Sequence, residues 1–210
     1  MVRIYFDRTR NPVRNMAREN ELFRRVEKGE LPETIRFWKN SECLVRGKAR
    51  NPRYGWYHEE LAERFGVIVV QRETGGGVVY NDQGNLNWSF ISRRSGPLLT
   101  PTTLFGQASE YVVGALNRLG IKAQFAPPNR IDVSGHKVSG LAARSSPRTL
   151  LVHGTLLIHS NLEKLNTLCI PPPDCPPVAN LQHWVPRIEA KDVVSALLEV
   201  LKESGLDVQA

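Results

Sequence analysis

QRETGGGVVYNDQGNLN, residues 71–87, sets how the chain on either side of it is to be folded. Three consecutive glycines follow the apolar run 67–70 and precede Val78, Val79 and Tyr80, so the turn joins two strand-like segments and opens no helix. A dinucleotide fingerprint needs GxGxxG leading into a helix, and a P-loop needs Lys-Ser/Thr after its last glycine; neither pattern is here. Gly75, Gly76 and Gly77 supply instead backbone without Cβ, able to take positive φ and to lie close against a phosphate or an extended acyl chain. Arg72, just upstream, offers a planar fork for phosphate or carboxylate. The plainer alternative is a hairpin loop with a charged neighbour.

Outward from this loop, 86–92 alternates as a further strand, and 59–65 reads as a short helix closed by Gly66. Residues 34–38 and 43–46 read as two strands joined by a turn at Asn40 and Ser41. After an opening strand at 2–6, Val13, Met16, Ala17, Phe23 and Val26 form a helical stripe, which leaves Asn15 and Glu19 as a solvated polar face. The clearest helix is 101–119, with an apolar stripe through Leu104, Ala108, Val112, Ala115 and Leu119 and with Gly120 as its stop. Residues 121–160 turn to strands. A helix at 162–168 leads into CIPPPDCPPVAN, too rich in proline for a regular element, and Asp192 caps a closing helix. This order of elements implies an α+β fold, a mixed β-sheet with flanking helices, in a single domain over 1–210.

An apolar fraction of 41% in 210 residues is enough for a proper core. Lys and Arg outnumber Asp and Glu 28 to 21, which suits an acidic partner, but the excess is dispersed. Clusters such as Arg46, Lys48, Arg50 and Arg53 lack the aromatic interleaving of a nucleic-acid platform, and nucleic acid is not the expected partner. Three cysteines without CxxC spacing point to a reducing interior. With no signal peptide and no apolar run near about 18 residues, the expected location is the cytoplasm, with no membrane partner.

Two further residues could carry chemistry. Lys137 lies in the strand-like DVSGHKVSG, 132–140, close to Gly135 and Gly140, and taken alone reads as a surface charge. His153 interrupts the apolar run VHGTLL and taken alone reads as a hydrogen-bonded core histidine.

RETGGG, GHKVSG and HGTLL, in this order and spacing, together with NMARENELF, RFWKN and CLVRGKARNP, resemble the lipoate-protein ligase branch of the biotin/lipoate ligase and octanoyltransferase superfamily, over about 15–165. The resemblance implies a class II biotin/lipoate ligase-like catalytic domain that condenses lipoate with MgATP to lipoyl-adenylate, then passes the acyl group to a lysine of an acceptor. On that reading Arg72 holds the adenylate phosphate or the carboxylate, and Gly75, Gly76 and Gly77 line the acyl chain and phosphate. The backbone from Gly77 through Val78, Val79 and Tyr80 meets the adenine, and Lys137 is the catalytic cation bridging carbonyl and phosphate. Thr74, Asn81, Asp82 and His153 complete the adenylate-binding set, and Asp132, with Asp82, is a candidate Mg²⁺ ligand. The implied partners are an apo lipoyl-acceptor protein, either a lipoyl domain or a glycine-cleavage H-type protein, and an accessory domain expected on a separate polypeptide because the chain ends at Ala210. Two positions depart from the pattern. Asn81 stands where many ligases have histidine, and Gln71-Arg72 replaces an Arg-Arg pair. Rival readings are a transferase working through a thioester on Cys169 or Cys175, a biotin ligase with RGKARNPRYG, 46–55, as its adenylate loop, and a non-catalytic lipoate binder.

Overall fold

The computed structural model, which describes residues 1–48, 56–94 and 100–209, runs in chain order β1 (Val2–Phe6), α1 (Pro12–Glu27), β2 (Glu33–Trp38), β3 (Cys43–Arg46), β4 (Trp56–Tyr57), α2 (Glu59–Arg64), β5 (Ile68–Gln71), β6 (Val78–Asn81), β7 (Asn85–Arg93), α3 (Pro101–Arg118), β8 (Ala123–Ala126), β9 (Arg130–Val133), β10 (His136–Ser145), β11 (Thr149–Leu157), α4 (Leu162–Leu168), β12 (Cys169–Ile170), α5 (Ala190–Glu203) and β13 (Val208–Gln209). Eight strands form one mixed sheet in the order β13-β1-β2-β7-β11-β10-β9-β8; β1 runs parallel to β13 and β2, and the remaining pairs are antiparallel. A smaller sheet, β5-β3-β6, stands beside it, and β12 pairs with β4.

Alternation along the central strands assigns their faces. Leu86, Trp88 and Phe90 of β7, with Val152 and Leu156 of β11, join the large core that α3 and α5 cover. Ile91 and Leu151 turn the other way, onto Leu22, Phe23 and Val26 of α1. This is the α+β architecture expected, a mixed sheet with helices on both faces. No helix among the described residues is long and apolar enough to cross a membrane.

The structure corrects several local expectations. In α1, Val13 and Ala17 are exposed, while Asn15 and Glu19 are buried at 0% and 3% exposure. The inward face runs Pro12, Asn15, Glu19, Leu22, Phe23 and Val26, and its polar half is satisfied by buried partners. The turn at Asn40 and Ser41 does not make a hairpin, because β2 joins the large sheet and β3 the small one. β5 and β6 are likewise unpaired with each other and flank β3. Asp192 is the third residue of α5 rather than its cap: Glu189 is the cap, and the two acids form a reciprocal capping box. The proline-rich segment carries β12 and a parallel bridge from Val178 to Lys137.

Gly154 of β11 faces Trp88 across the ladder, and a Cβ there would lie 2.6 Å from the indole Cζ2 and 2.8 Å from Cε2. Trp88 is fully buried and has nowhere to retreat. Gly154→Ala is therefore expected to lower unfolding stability by about 1–3 kcal/mol, the usual range for overpacking, read as the shift of the denaturant midpoint at unchanged slope.

Candidate active site

Between the α1-facing side of the large sheet and the small sheet lies a cavity of about 430 Å³. Its walls are mostly apolar, from Met16 of α1, Val45 of β3, Val78 and Val79 of β6, Leu141 of β10, and Leu157 of β11. A volume of this order suits a small organic ligand. Two buried polar atoms on its lining residues, Trp38 Nε1 and Ser139 Oγ, have no hydrogen-bond partner among the described residues.

Lys137 is placed on the cavity wall by two neighbours. It pairs with Asp132 in β9, and its N–H donates to Pro177 O at 2.9 Å while its carbonyl accepts from Ala179 N at 3.1 Å. The segment following β12 thus acts as a strap across the start of β10. The register slips between Lys137 and Ser139, a bulge, and both side chains line the cavity. Gly140 leaves room for the lysine: a Cβ there would meet Lys137 Nζ at 3.4 Å. Cys175, on the strap, has its Sγ 4.0 Å from Nζ.

Arg72 is buried and uses its fork on the protein itself. Nη2 donates to the carbonyls of Gly75 at 2.8 Å and Gly77 at 2.9 Å, Nη1 to that of Val45 at 3.0 Å, and Nε to Thr74 Oγ1 at 2.9 Å. Burial lowers its pKa to about 10, with Glu19 opposing, so it stays a cation at neutral pH. Pulling these carbonyls toward the guanidinium curls the glycine loop around it. Among the described residues the N–H groups of Gly76 and Gly77, both on the cavity wall, meet no protein acceptor. Two neighbouring backbone N–H groups left free in this way suit an anion, as in a backbone nest.

Thr74 Oγ1 also meets His153 Nε2 at 2.9 Å, and the other ring nitrogen, Nδ1, lies 3.0 Å from both carboxylate oxygens of Glu19. Burial alone would raise the Glu19 carboxyl, but His153, Arg36 and Arg72 hold it below its ordinary value, so it is an anion and His153 Nδ1–H donates to it. Arg36, itself fully buried, binds Asn15 O and Oδ1 and Asp7 Oδ2 at 2.6 to 3.0 Å.

Of the residues singled out in the sequence, Arg72, Gly76, Gly77, Val78, Val79, Tyr80, Lys137 and His153 meet in the cavity wall. Thr74 and Gly75 stand behind it as partners of Arg72. Asn81, fully buried, accepts from Asn40 Nδ2 at 2.9 Å and lies outside the lining, so the departure from histidine there falls behind the cavity wall. Asp82 closes a turn, accepting from Gly84 N at 2.7 Å and Asn161 N at 2.8 Å. Asp132 is ion-paired with Arg130 Nε at 2.9 Å. Both carboxylates are thus engaged away from the cavity, and no group of three or more His, Cys, Asp or Glu among the described residues could hold a metal ion. The donor set does not fit a protein-built Mg²⁺ site. The loop 46–55 lies largely outside the described residues. Glu19 and Asn15 were missed as site residues, although their spacing to Leu22 and Val26 places all four on one helical face.

The cysteines differ sharply. Cys43 is buried and its thiol is pushed up to about 12 by burial; Cys169 is pushed up to about 12 by burial against the opposing pull of Lys137. Cys175 lies beside the ammonium of Lys137. Iodoacetamide at pH 7.5 is expected to label Cys175 well before Cys43 or Cys169, which peptide mass spectrometry reads directly; equal labelling of all three would contradict the assignment.

The family model of the lipoyl protein ligase A/B catalytic domain matches residues 11–202. Lipoate-protein ligase A of Psychrobacter cryohalolentis is 30% identical over 216 aligned positions, covering 96% of this chain and 60% of that protein. The chain therefore spans less than two thirds of the length of this relative. The structure of a bi-partite lipoate protein ligase from Thermoplasma acidophilum superposes with a TM-score of 0.82 at 22% identity, over 99% of this chain and 87% of that one. Lipoate-protein ligase A solved with ATP gives 0.86 at 23%, over 99% and 89%. At such identities the two structures establish a shared fold, and the family model, which takes in all but the two ends of the sequence, settles the rest: this chain belongs to the lipoyl protein ligase A/B catalytic domain family.

Proposed function

We propose that this domain activates lipoate with ATP as lipoyl-adenylate and transfers the lipoyl group to a lysine of an acceptor protein. The observation that carries the reading is one lysine, Lys137, on the wall of an apolar cavity also lined by Gly76 and Gly77 of the glycine loop. An extended acyl chain suits the apolar walls, and the carboxylate and α-phosphate suit the cation and the nest. Two anions repel as they approach, and a compact cation between them offsets the charge developing at the attacked phosphorus. In the first step a carboxylate oxygen attacks the α-phosphorus, the bond to the β-phosphate oxygen breaks, and pyrophosphate leaves with the electron pair. In the second, the acceptor amine attacks the acyl carbonyl, AMP leaves, and the amine proton is lost to solvent. Magnesium, when present with ATP, would neutralise phosphate charge; the residues above act without a metal cage of their own.

The Thermoplasma acidophilum ligase is described as bi-partite and with its E2 lipoyl domain. We extend both features to this chain: an acceptor of the lipoyl-domain kind, with a glycine-cleavage H-type protein as alternative, and a separate accessory-domain protein that completes activation. Pyrophosphate release dependent on both lipoate and ATP, measured with and without the accessory protein, tests the activation step. Lipoate binding with no pyrophosphate in either arm would reduce the domain to a binder.

The nearness of Cys175 to Lys137 favours a second reading, in which the acyl group passes through a cysteine thioester. ATP-dependent acceptor modification that survives Cys175→Ser and Cys169→Ser excludes it.

A further inference from the structure

We propose that Glu19 is a positioning residue that acts through His153 and Thr74 on Arg72, and so holds the glycine loop in its ligand-ready form. The inference rests on the adenylation reading for its consequence, though not for its geometry. The links are continuous: Glu19 carboxylate to His153 Nδ1 at 3.0 Å, His153 Nε2 to Thr74 Oγ1 at 2.9 Å, Thr74 Oγ1 to Arg72 Nε at 2.9 Å, then Arg72 Nη2 to Gly75 O and Gly77 O. All four side chains are at least nine-tenths buried, and Glu19 does not line the cavity while His153 and Arg72 do.

Each link fixes the direction of the next. The ionised Glu19 can only accept, so His153 Nδ1 carries a proton toward it, and this bond fixes the ring with Nε2 facing the Thr74 hydroxyl. The Thr74 oxygen then turns a lone pair to Arg72 Nε–H, which sets the plane of the guanidinium. That plane decides which backbone carbonyls its two Nη2 hydrogens reach. A guanidinium rotated away would release Gly75 O and Gly77 O, and the backbone between them, Gly76 included, would lose the conformation those two bonds hold. The Glu19 charge also compensates two buried cations, Arg36 and Arg72, which both lower its pKa. One carboxylate on α1 therefore supplies direction to the chain of hydrogen bonds and neutrality to its surroundings.

The test compares Glu19→Gln, Thr74→Val and Thr74→Ser by amide hydrogen exchange of residues 72–78 and by steady-state pyrophosphate release. The Glu19→Gln and Thr74→Val proteins should exchange the loop amides about tenfold faster or more, while amides of β7 and β11 keep their protection. Thr74→Ser, which keeps the hydroxyl, should behave as the original protein. The KM for ATP should rise about tenfold with a smaller change in kcat, and the double variant Glu19→Gln with Thr74→Val should be no worse than the poorer single one. Loop exchange unchanged in Thr74→Val overturns the proposal, whatever happens to Glu19→Gln folding. Faster loop exchange with no pyrophosphate release from any protein, the original included, sustains the positioning role and removes the adenylation reading instead.

Discussion

Lys137→Met is expected to lower kcat for acyl-adenylate formation by about 10²–10³-fold, the usual cost of deleting one preorganised electrostatic group at a reacting centre. Methionine nearly matches the length of the lysine stem and keeps its packing beside Gly140, so the change removes the charge with little effect on shape. The backbone of Lys137 holds the strap through Pro177 and Ala179, contacts that no side-chain replacement touches. The melting transition should therefore stay within a few degrees of the original. On the proposed function lipoate affinity should fall far less than kcat, because mostly apolar walls would hold the acyl chain without the charge. Rapid-quench measurement of adenylate separates the two effects; an unchanged rate would remove Lys137 from the chemistry.

Gly47→Ala is expected to lower kcat/KM for ATP by about 10²-fold, the scale of a catalytic group displaced by an ångström. Gly47 follows β3 and donates its N–H to Gly77 O at 3.1 Å. A Cβ there would overlap the carbonyl oxygen of Gly76 and approach the Gly75 carbonyl to 3.0 Å. Those atoms are backbone with no free rotamer, so the loop itself must move. Because that loop is tied to Arg72, displacement would break its carbonyl contacts and disperse the nest. Kinetics with ATP as the varied substrate, alongside the melting temperature, distinguishes a moved loop from an unfolded domain; near-normal kcat/KM would show that the loop tolerates the shift.

Strands and helices were legible wherever one face was apolar and the other was not. The 101–119 stripe and the β7 alternation are read from the chain because each element meets the core on one side. The inward face of α1 was misread because its buried half is polar: Asn15 and Glu19 look like solvent-facing residues until Arg36 and His153, 21 and 134 positions away, are brought to them. Sheet membership was also hidden. Nothing within 67–80 says that β5 and β6 are held apart by β3, since that pairing joins strands distant in sequence. The cluster around Lys137 was legible through motifs at a recognised spacing, but the targets of the Arg72 fork were not. From sequence a guanidinium beside three glycines suggests a ligand contact, whereas its hydrogens go to Val45, Thr74, Gly75 and Gly77. In the same way the sequence offers Asp132 as a candidate metal ligand and does not show its ion pair with Arg130.

The most direct measurement is the mass of an apo lipoyl domain after incubation with this chain, lipoate and MgATP, in parallel with and without an accessory-domain protein. The expected result is a gain of one lipoyl group at a single acceptor lysine in at least one arm, dependent on ATP and slowed about 10²–10³-fold by Lys137→Met. An acceptor mass unchanged in both arms, under conditions where the folded chain binds lipoate, would contradict the proposed ligase function.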